Sequence, residues 1–428
     1  MYAFPAAHVR VTGVLTNTSS TAPYRGAGRP EAIYVIERLI DDAARELGMD
    51  RVELRRRNLV PPGAMPYKTA LTFTYDCGEF ERVMHKALDL GGWDGIAARR
   101  EQSRRRGRLR GIGIANAIER AGAPPAMEFA EIRFAADGTA TLLMGSKNQG
   151  QGHETTFTQI ACERLGLAPE DFRFTDGDTD LVAQGTGTFG SRSTTVAGSA
   201  LWLAAEKVIA KGRRIAAHLL EASEADIVFA QGRFAVSGTD RGVPLKEVAR
   251  AAFIPAKLPQ GLEPGLSEHA AFVPPAETFP NGCHVCEVEV DPETGTIELV
   301  NYSVVDDVGT EINPLTLKGQ VMGGIVQGLG QILMERMIYD PESGQLLTAS
   351  FMDYAMPRAD GLCAMEIGSH PVPTKLNPLG VKGAGEAGTV GALAAVMNAV
   401  VDALAQAGAT QLDMPATSER VWRALQSR

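Results

Sequence analysis

The segment NPLGVKGAGEAG, residues 377–388, is a glycine-rich loop that leads directly into a long apolar stretch predicted to be helical. Glycine lets a backbone approach a ligand closely and adopt positive φ, and the first turn of a helix presents unpaired N–H groups and a positive dipole end. Two earlier segments, GSKNQGQGHE at 145–154 and GTGTFGSRS at 185–193, precede predicted helices in the same way. Because each arrangement favours an anion, the three together predict a large anionic ligand such as a phosphate-bearing cofactor.

Known nucleotide-binding motifs fit these loops poorly. Residues 145–150 have the glycine spacing of a P-loop, but Gln151 and Gly152 stand where Lys and Ser/Thr are needed. Residues 383–388 spell G-x-G-x-x-G, yet no buried strand precedes them and about forty residues follow, too few for a dinucleotide-binding sheet. Arg192 in the second loop adds a fixed positive charge suited to phosphate.

The third loop also contains a carboxylate, Glu386, with Gly385 on one side and Ala387 and Gly388 on the other. One interpretation is a glutamate at a helix start, stabilised by the helix dipole by roughly 0.5 kcal/mol. The other is a catalytic base, whose pKa burial would have to raise against that dipole. The small neighbours leave space for a ligand, but the residues alone leave both interpretations open.

Charge and hydropathy argue against two classes of partner. The chain of 428 residues has a net charge of −9, unlike a dedicated nucleic-acid-binding protein, and the Arg-rich segment 99–110 is expected to be a solvated helix end. The apolar stretch 390–407 is interrupted by Asn398 and Asp402 and is expected to be too polar to span a bilayer. With no recognisable signal peptide at the start, a cytoplasmic location is expected.

The five cysteines are scattered and do not form a disulfide framework. Cys283 and Cys286 form a C-x-x-C pair, but the surrounding segment alternates like a strand and no second pair could complete a zinc site. We therefore expect ordinary strand residues. No spacing suits an iron–sulfur cluster, so an electron carrier would belong to another chain.

Local patterns predict several elements. A helix runs from about Pro30 to Gly48, and Asp50 caps the next one. The segment 283–306 predicts two strands joined by a turn, and the Pro-rich segment 254–280 predicts a linker or surface excursion.

Three regions follow from this organisation, in an α+β fold of mixed α/β units. Residues 1–110 are expected to be the tail of a first domain, which carries the segment YRGAGR. Residues 111–275 are expected to form an α/β subdomain that begins with a strand at 111–117 and holds two glycine loops. Residues 276–428 are expected to form a second α/β subdomain with the GAGEAG loop.

Five segments in the same order resemble the molybdopterin-binding large subunit of the xanthine dehydrogenase and aerobic carbon-monoxide dehydrogenase family. Together they extend over almost the whole chain, and the ordered set is highly specific. The segments are YRGAGRPEA (24–32), NQGQGHET (148–155), GTFGSRS (187–193), GQVMGGIVQGLGQ (319–331) and GVKGAGEAG (380–388). The resemblance implies a molybdenum-cofactor-binding domain of the xanthine dehydrogenase and aldehyde oxidase type, with two α/β subdomains after a partial first domain.

The resemblance also implies an oxidoreductase reaction, the hydroxylation of an aldehyde or of an N-heteroaromatic or purine-like substrate. In the family, a metal-bound hydroxide attacks an electron-poor carbon while hydride passes to another ligand of molybdenum. Glu386 matches the general base and Arg25 matches the arginine that orients substrate or stabilises negative charge. No protein ligand to the metal is implied, since the pterin dithiolene holds it.

Cofactor contacts are implied for all three glycine loops. The cofactor is expected to be molybdenum-molybdopterin in its cytosine dinucleotide form, as is usual in bacterial relatives. The matching residues are Gln149, Gly150, Gln151, Gly152, His153, Gly190, Ser191, Arg192, Ser193, Lys382, Gly383 and Gly385.

Two departures from the family pattern leave alternatives open. Carbon-monoxide dehydrogenases carry a copper-binding Cys where this chain has Gly26, which counts against carbon monoxide as substrate but leaves a homologue of that large subunit as an alternative. The family also has an equally large segment before YRGAGR, so another chain is expected to supply it; otherwise the chain is a non-catalytic fragment. Further expected partners are a 2Fe–2S subunit and possibly an FAD subunit, in a dimer of heteromers. An unrelated nucleotide-dependent oxidoreductase is the remaining alternative.

Overall fold

The computed structural model describes residues 1–124 and 126–427 and has the expected mixed α/β architecture. The helices are α1 (Arg29–Leu47), α2 (Arg51–Asn58), α3 (Phe80–Leu90), α4 (Ile96–Arg105), α5 (His153–Leu165), α6 (Ser199–Leu219), α7 (Leu245–Ala251), α8 (Pro314–Leu333), α9 (Ala387–Ala405) and α10 (Ser418–Gln426). The strands are β1 (Tyr67–Lys68), β2 (Thr74–Tyr75), β3 (Leu109–Ile118), β4 (Glu128–Phe134), β5 (Ala140–Met144), β6 (Phe172–Asp176), β7 (Ile227–Ala230), β8 (Arg233–Val236), β9 (Gly242–Pro244), β10 (Ser267–Phe272), β11 (Asn281–Val290), β12 (Ile297–Asp307) and β13 (Met365–Ser369).

One sheet has the strand order β13-β12-β11-β3. The predicted strand pair is confirmed, because β11 and β12 are antiparallel neighbours. The expectation that the strand at 111–117 opens the second region is wrong: it forms part of β3, which pairs with β11 along its whole length and so lies in the sheet of the third region. The remaining limits of the three regions stay a prediction.

Helix α9 packs across β3 at very short range. Gly113 makes this possible, because a Cβ there would lie 2.1 Å from the carbonyl oxygen of Ala395. A Cβ at Gly111 would lie 2.0 Å from the carbonyl oxygen of Ala399. Small residues on both elements therefore seat the core helix directly on the strand backbone.

The opposite face of this sheet is covered by α3. Residues of β11 alternate between the two cores, so Cys286 packs on the α9 side and Cys283 on the α3 side. Both thiols are free and buried. The prediction that they are ordinary strand residues is confirmed, because neither thiol is solvent-accessible for redox chemistry.

The Arg-rich segment is only partly the solvated helix end that its sequence predicts. Arg99 and Arg110 both contact the buried carboxylate of Glu287, with Nε–Oε1 distances of 2.8 and 2.7 Å. Arg104 and Arg105 are exposed and pair within α4 with Glu101. The inner arginines therefore neutralise carboxylates that point from β11, a long-range pairing that the local charge pattern does not reveal.

A second sheet has the strand order β10-β4-β5-β6, and α5 and α6 contribute to the core beside it. The prediction of a linker at 254–280 is wrong for its central part, because β10 lies there and pairs with β4 from Ser267 to Phe272. No proline lies within Ser267–Phe272, so the backbone N–H groups of β10 are all available for the ladder.

Within the described residues, α9 is the helix long and apolar enough to cross a membrane. However, 94% of its apolar stretch is buried inside the protein. The polarity of Asn398 and Asp402 is therefore not the obstacle to a membrane span that the sequence suggested, because the composition of the helix alone would allow one. Its composition has a structural reason, because α9 is enclosed by α1, α8, β3 and β11.

Candidate functional site

The three glycine loops come together around one cleft of about 760 Å³. Segments close in space but far apart in sequence line it, including the loop before α1, the start of α5, the loop before the π-helical turn Ser193–Gly198, and the loop before α9. The predicted convergence of these loops on one space is thus present in the structure.

Glu386 is the N-cap residue of α9 and is half-buried in this cleft. Its Oε1 accepts a hydrogen bond from the backbone N–H of Gly26 at 2.9 Å. Its Oε2 accepts from Ser191 Oγ at 3.1 Å, and its own N–H donates to the same Oγ at 3.0 Å. Two loops distant in sequence therefore fix the carboxylate, and it does not cap the N–H groups of its own helix.

Arg25 lies beside Glu386. Its Nε donates to the carbonyl oxygen of Gly385 at 2.7 Å, and its Nη2 donates to the backbone and side-chain oxygens of Gln320 at 3.1 and 3.0 Å. Burial lowers the pKa of Arg25, whereas the nearby Glu386 and Glu119 act to raise it. The guanidinium is held at the cleft with its Nη1 making no hydrogen bond to the residues that the structure describes.

Arg192 occupies a different position from the one its sequence context suggests. The side chain is 2% exposed and forms an ion pair with the fully buried Glu128. Its Nη2 also donates to the carbonyl oxygen of Met127 at 2.7 Å. The expectation of a fixed charge for phosphate therefore needs correction, since Glu128 neutralises the guanidinium and backbone carbonyl oxygens accept from Nη1 and Nη2, while Nε has no partner among the described residues.

Lys382 shows the same behaviour in the third loop. Its Nζ lies 2.6 Å from Oδ2 of Asp307, and both side chains are fully buried. The neighbouring Gly383 packs so tightly that a Cβ there would lie 2.1 Å from the carbonyl oxygen of Ser191. The second and third loops are thus locked together, and Lys382 contributes to this through its ion pair rather than as an open cation.

The first loop presents mainly backbone and amide groups. Gly150 and Gly152 have φ of 108° and 80°, and a Cβ at Gly150 would meet no atom within 4 Å. Gln149 and Gln151 interact with each other at the cleft, where the N–H of Gln149 donates to Gln151 Oε1 at 2.6 Å. His153 is 6% exposed, burial lowers its pKa, and its Nδ1 has no hydrogen-bond partner among the described residues.

Sequence reasoning missed Glu119, which follows β3 and is 2% exposed. Burial, and next the adjacent Glu386, raise the pKa of Glu119 well above its usual range. No motif identifies this residue, because its relation to Glu386 depends on the pairing of β3 with β11 and on the packing of α9. The only local indication was a single carboxylate at the end of an apolar strand.

These residues fit a phosphate-bearing organic cofactor. The unpartnered His153 Nδ1 and the open space above Gly150 and Gly190 leave donors and volume for a ligand. The start of α5 has no side-chain cap, so its first N–H groups are available for an anion. Within residues 1–124 and 126–427, no group of three or more His, Cys, Asp or Glu is placed to hold a metal ion directly.

Comparisons with known proteins agree with such a ligand. A family model described as molybdopterin cofactor-binding domain matches residues 86–362, and a second model of that description matches residues 1–59. The carbon monoxide dehydrogenase large chain of Hydrogenophaga pseudoflava is 39% identical over 99% of this chain and 54% of its own length. The nicotine 6-hydroxylase large subunit of Paenarthrobacter nicotinovorans is 35% identical over 99% of this chain and 53% of its own length.

The fold agrees with these matches. The crystal structure of quinoline 2-oxidoreductase from Pseudomonas putida 86 superposes with a TM-score of 0.89 at 34% identity, covering 95% of this chain and 53% of that one. The chain spans about half the length of the curated relatives that it matches.

Proposed function

Because the chain belongs to the molybdopterin cofactor-binding family of carbon monoxide dehydrogenase and xanthine dehydrogenase large subunits, we propose that it provides the general base, Glu386, of a molybdenum hydroxylase. The observation that carries this proposal is the fixed carboxylate between Gly26 and Ser191, beside the guanidinium of Arg25. When bound, the cofactor supplies the oxygen that is inserted and takes up the electrons removed from the substrate.

The residues of this chain then handle a proton and a developing charge. The Gly26 N–H and the Ser191 hydroxyl orient the Glu386 carboxylate, so it is positioned to accept a proton as the substrate carbon is attacked. Arg25 is anchored through Nε and Nη2, which leaves Nη1 to donate to an oxygen or nitrogen of the substrate on which negative charge develops.

The cofactor would be held by the three loops. The loops at 149–153 and 190–193 would bind the phosphates and the pterin of the cytosine dinucleotide form of the cofactor, with the N–H groups at the start of α5 as anion donors, and residues 382–385 would close the opposite side. Arg192 and Lys382 would act by keeping these loops in place, since both side chains are already paired.

The proposed substrate is an aldehyde or an N-heteroaromatic or purine-like compound. Gly26 supports this choice over carbon monoxide, because its φ is 100° and a Cβ there would lie 2.4 Å from Cγ of Pro30. A metal-binding side chain therefore has no space at this position. The alternative of a homologue of the carbon monoxide dehydrogenase large chain is favoured by the 39% identity to that relative.

The complete enzyme would require other polypeptides. We propose that another chain supplies the upstream half of the molybdenum domain, and that a 2Fe–2S subunit and an FAD subunit carry electrons away. The same fold without bound metal, as a non-catalytic fragment, is the alternative. Molybdenum analysis of the chain co-expressed with such partners separates the two, because absence of molybdenum from the purified complex would refute the enzymatic proposal.

Glu386→Gln tests the base directly in that complex. The variant should retain molybdenum and lose turnover by a factor on the order of 10²–10⁴, the usual contribution of a general base. Glu31→Gln is a matched control, because Glu31 lies near the start of a helix, as Glu386 does, but is exposed and outside the cleft. Normal kcat in Glu386→Gln across the proposed substrates would remove Glu386 from this role.

A further inference from the structure

Glu119 is a buried carboxyl group that the proposed mechanism does not use. Neither of its side-chain oxygens has a hydrogen-bond partner among the residues that the structure describes. Its backbone is fixed, since its N–H donates to the carbonyl oxygen of Pro280 at 2.9 Å. A buried ionised carboxylate without donors is strongly disfavoured, so this environment selects the protonated acid.

The polar groups facing Glu119 belong to several elements. Glu386 from the loop before α9 and Ser191 from the second glycine loop are the polar neighbours of its carboxyl group, and the Ser191 hydroxyl donates to Glu386 rather than to Glu119. Arg29 of α1 and Arg25 are nearby cations, but both are committed to backbone oxygens, Arg29 Nη1 to Gly26 at 2.9 Å and Arg25 Nε to Gly385 at 2.7 Å. Neither cation forms an ion pair with Glu119.

Two adjacent carboxyl groups cannot both be ionised without strong repulsion, so such a pair holds one proton between them. Each oxygen of Glu386 accepts a hydrogen bond, Oε1 from the Gly26 N–H and Oε2 from the Ser191 hydroxyl. Glu119 has no donor and lies beside a cavity of about 280 Å³ lined mainly by apolar and aromatic side chains. The asymmetry of the two environments therefore assigns the proton to Glu119.

We propose that Glu119 is a positioning residue that stays protonated at neutral pH and donates its O–H to the Glu386 carboxylate. The acid becomes a third donor to the base, after the Gly26 N–H and the Ser191 hydroxyl. When Glu386 accepts a proton, the pair holds two protons and carries no charge, so no third group has to change its ionisation. This inference rests on the base role proposed for Glu386, whereas the carboxyl pair itself depends only on this chain.

Infrared spectroscopy of the purified 428-residue chain tests the pair without cofactor or turnover. At pH 8 the wild type should show the carbonyl stretch of a protonated carboxylic acid, and Glu119→Gln should remove it. Glu386→Gln should shift the same band, because it changes the acceptor of that O–H. Asp306 provides the control band. Burial raises the pKa of Asp306 to about 7, so the wild type should show a band at pH 6 that is lost by pH 8 and that Asp306→Asn lacks.

The holoenzyme supplies a second readout. Glu119→Met, which has no donor, should move the acid limb of kcat/KM to higher pH by about one unit, as expected when an ionised carboxylate loses one hydrogen bond. Glu119→Gln keeps a neutral donor and should hold the limb near its wild-type position. A purely structural role would change the denaturation midpoint of both variants without moving the limb.

Absence of a Glu119-dependent band at pH 8, or an unshifted band in Glu386→Gln, would overturn the proposal. An acid limb in Glu119→Met that coincides with the wild type would overturn it as well. If Glu119→Gln fails to fold, the Glu386→Gln spectrum still decides, since it requires only the wild-type Glu119. Failure of the base role itself would show differently, as normal turnover of the Glu386→Gln holoenzyme.

Discussion

Replacing Arg192 by Met should destabilise the chain by about 3–5 kcal/mol, the usual cost of removing one partner of a buried ion pair. Glu128 is fully buried, and without Arg192 its Oε1 would keep only the backbone N–H groups of Thr186 and Gly187, each at 3.1 Å. Its Oε2 already has no partner among the described residues. The carboxylate would then be left without a compensating positive charge.

A double-mutant cycle separates this cause from simple loss of packing. Glu128→Gln added to Arg192→Met removes the stranded charge while keeping the side-chain shape, so the double variant should recover about 2 kcal/mol or more of the loss. Urea unfolding of the chain measures each corner, with the m-value expected to stay constant. If Arg192→Met changed the free energy of unfolding by less than about 1 kcal/mol but weakened cofactor retention, Arg192 would be a phosphate ligand after all, and the structural reasoning would fail.

Three further outcomes follow from the structure. Burial, and next the neighbouring Asp307, raise the pKa of Asp306 from 3.8 to about 7. Between these pH values the native state binds more protons than the unfolded state, so the free energy of unfolding falls as pH rises, by roughly 4 kcal/mol in all. Asp306→Asn should flatten this pH dependence, measured as the urea midpoint. Gly113→Ala should cost about 3 kcal/mol, read as a lower thermal midpoint, because its Cβ would lie 2.1 Å from Ala395 O. Gly26→Cys should lower the urea midpoint and give no carbon monoxide oxidation with added copper, because its φ is 100° and Pro30 fills the space.

Local elements were predictable because short-range interactions define them. Asp50 caps α2 as expected, and its Oδ1 accepts from the N–H groups of Val52 and Glu53 at 2.9 and 2.8 Å. Helix α1 ends at Leu47, and Gly48 adopts φ of 61° just beyond it, as a C-terminal glycine should. In each case the residues that determine the structure lie within one helical turn of each other.

Pairings between distant segments were not predictable in this way. Strand β3 and its neighbour β11 are about 170 residues apart, and nothing in the alternation of either strand selects the other. The charges of Arg192 and Lys382 were visible in the sequence, but their partners Glu128 and Asp307 were not. A charge in a glycine loop is equally compatible with a ligand and with a buried carboxylate, so the sequence interpretation depended on information that only packing supplies.

The small residues around Glu386 were also ambiguous in the sequence, because they are compatible both with space for a ligand and with close packing of the backbone. They suggested space for a ligand, but Gly388 is small because a Cβ there would lie 2.1 Å from the carbonyl oxygen of Val321 on α8. Gly383 is small for a similar reason, its contact with Ser191, and only Gly385 has ordinary clearance. Close packing of α9 and its preceding loop therefore places Glu386, and a base held within a few tenths of an ångström needs such rigid support. In the base role proposed for Glu386, the glycines would contribute by fixing the position of the carboxylate more than by making space beside it.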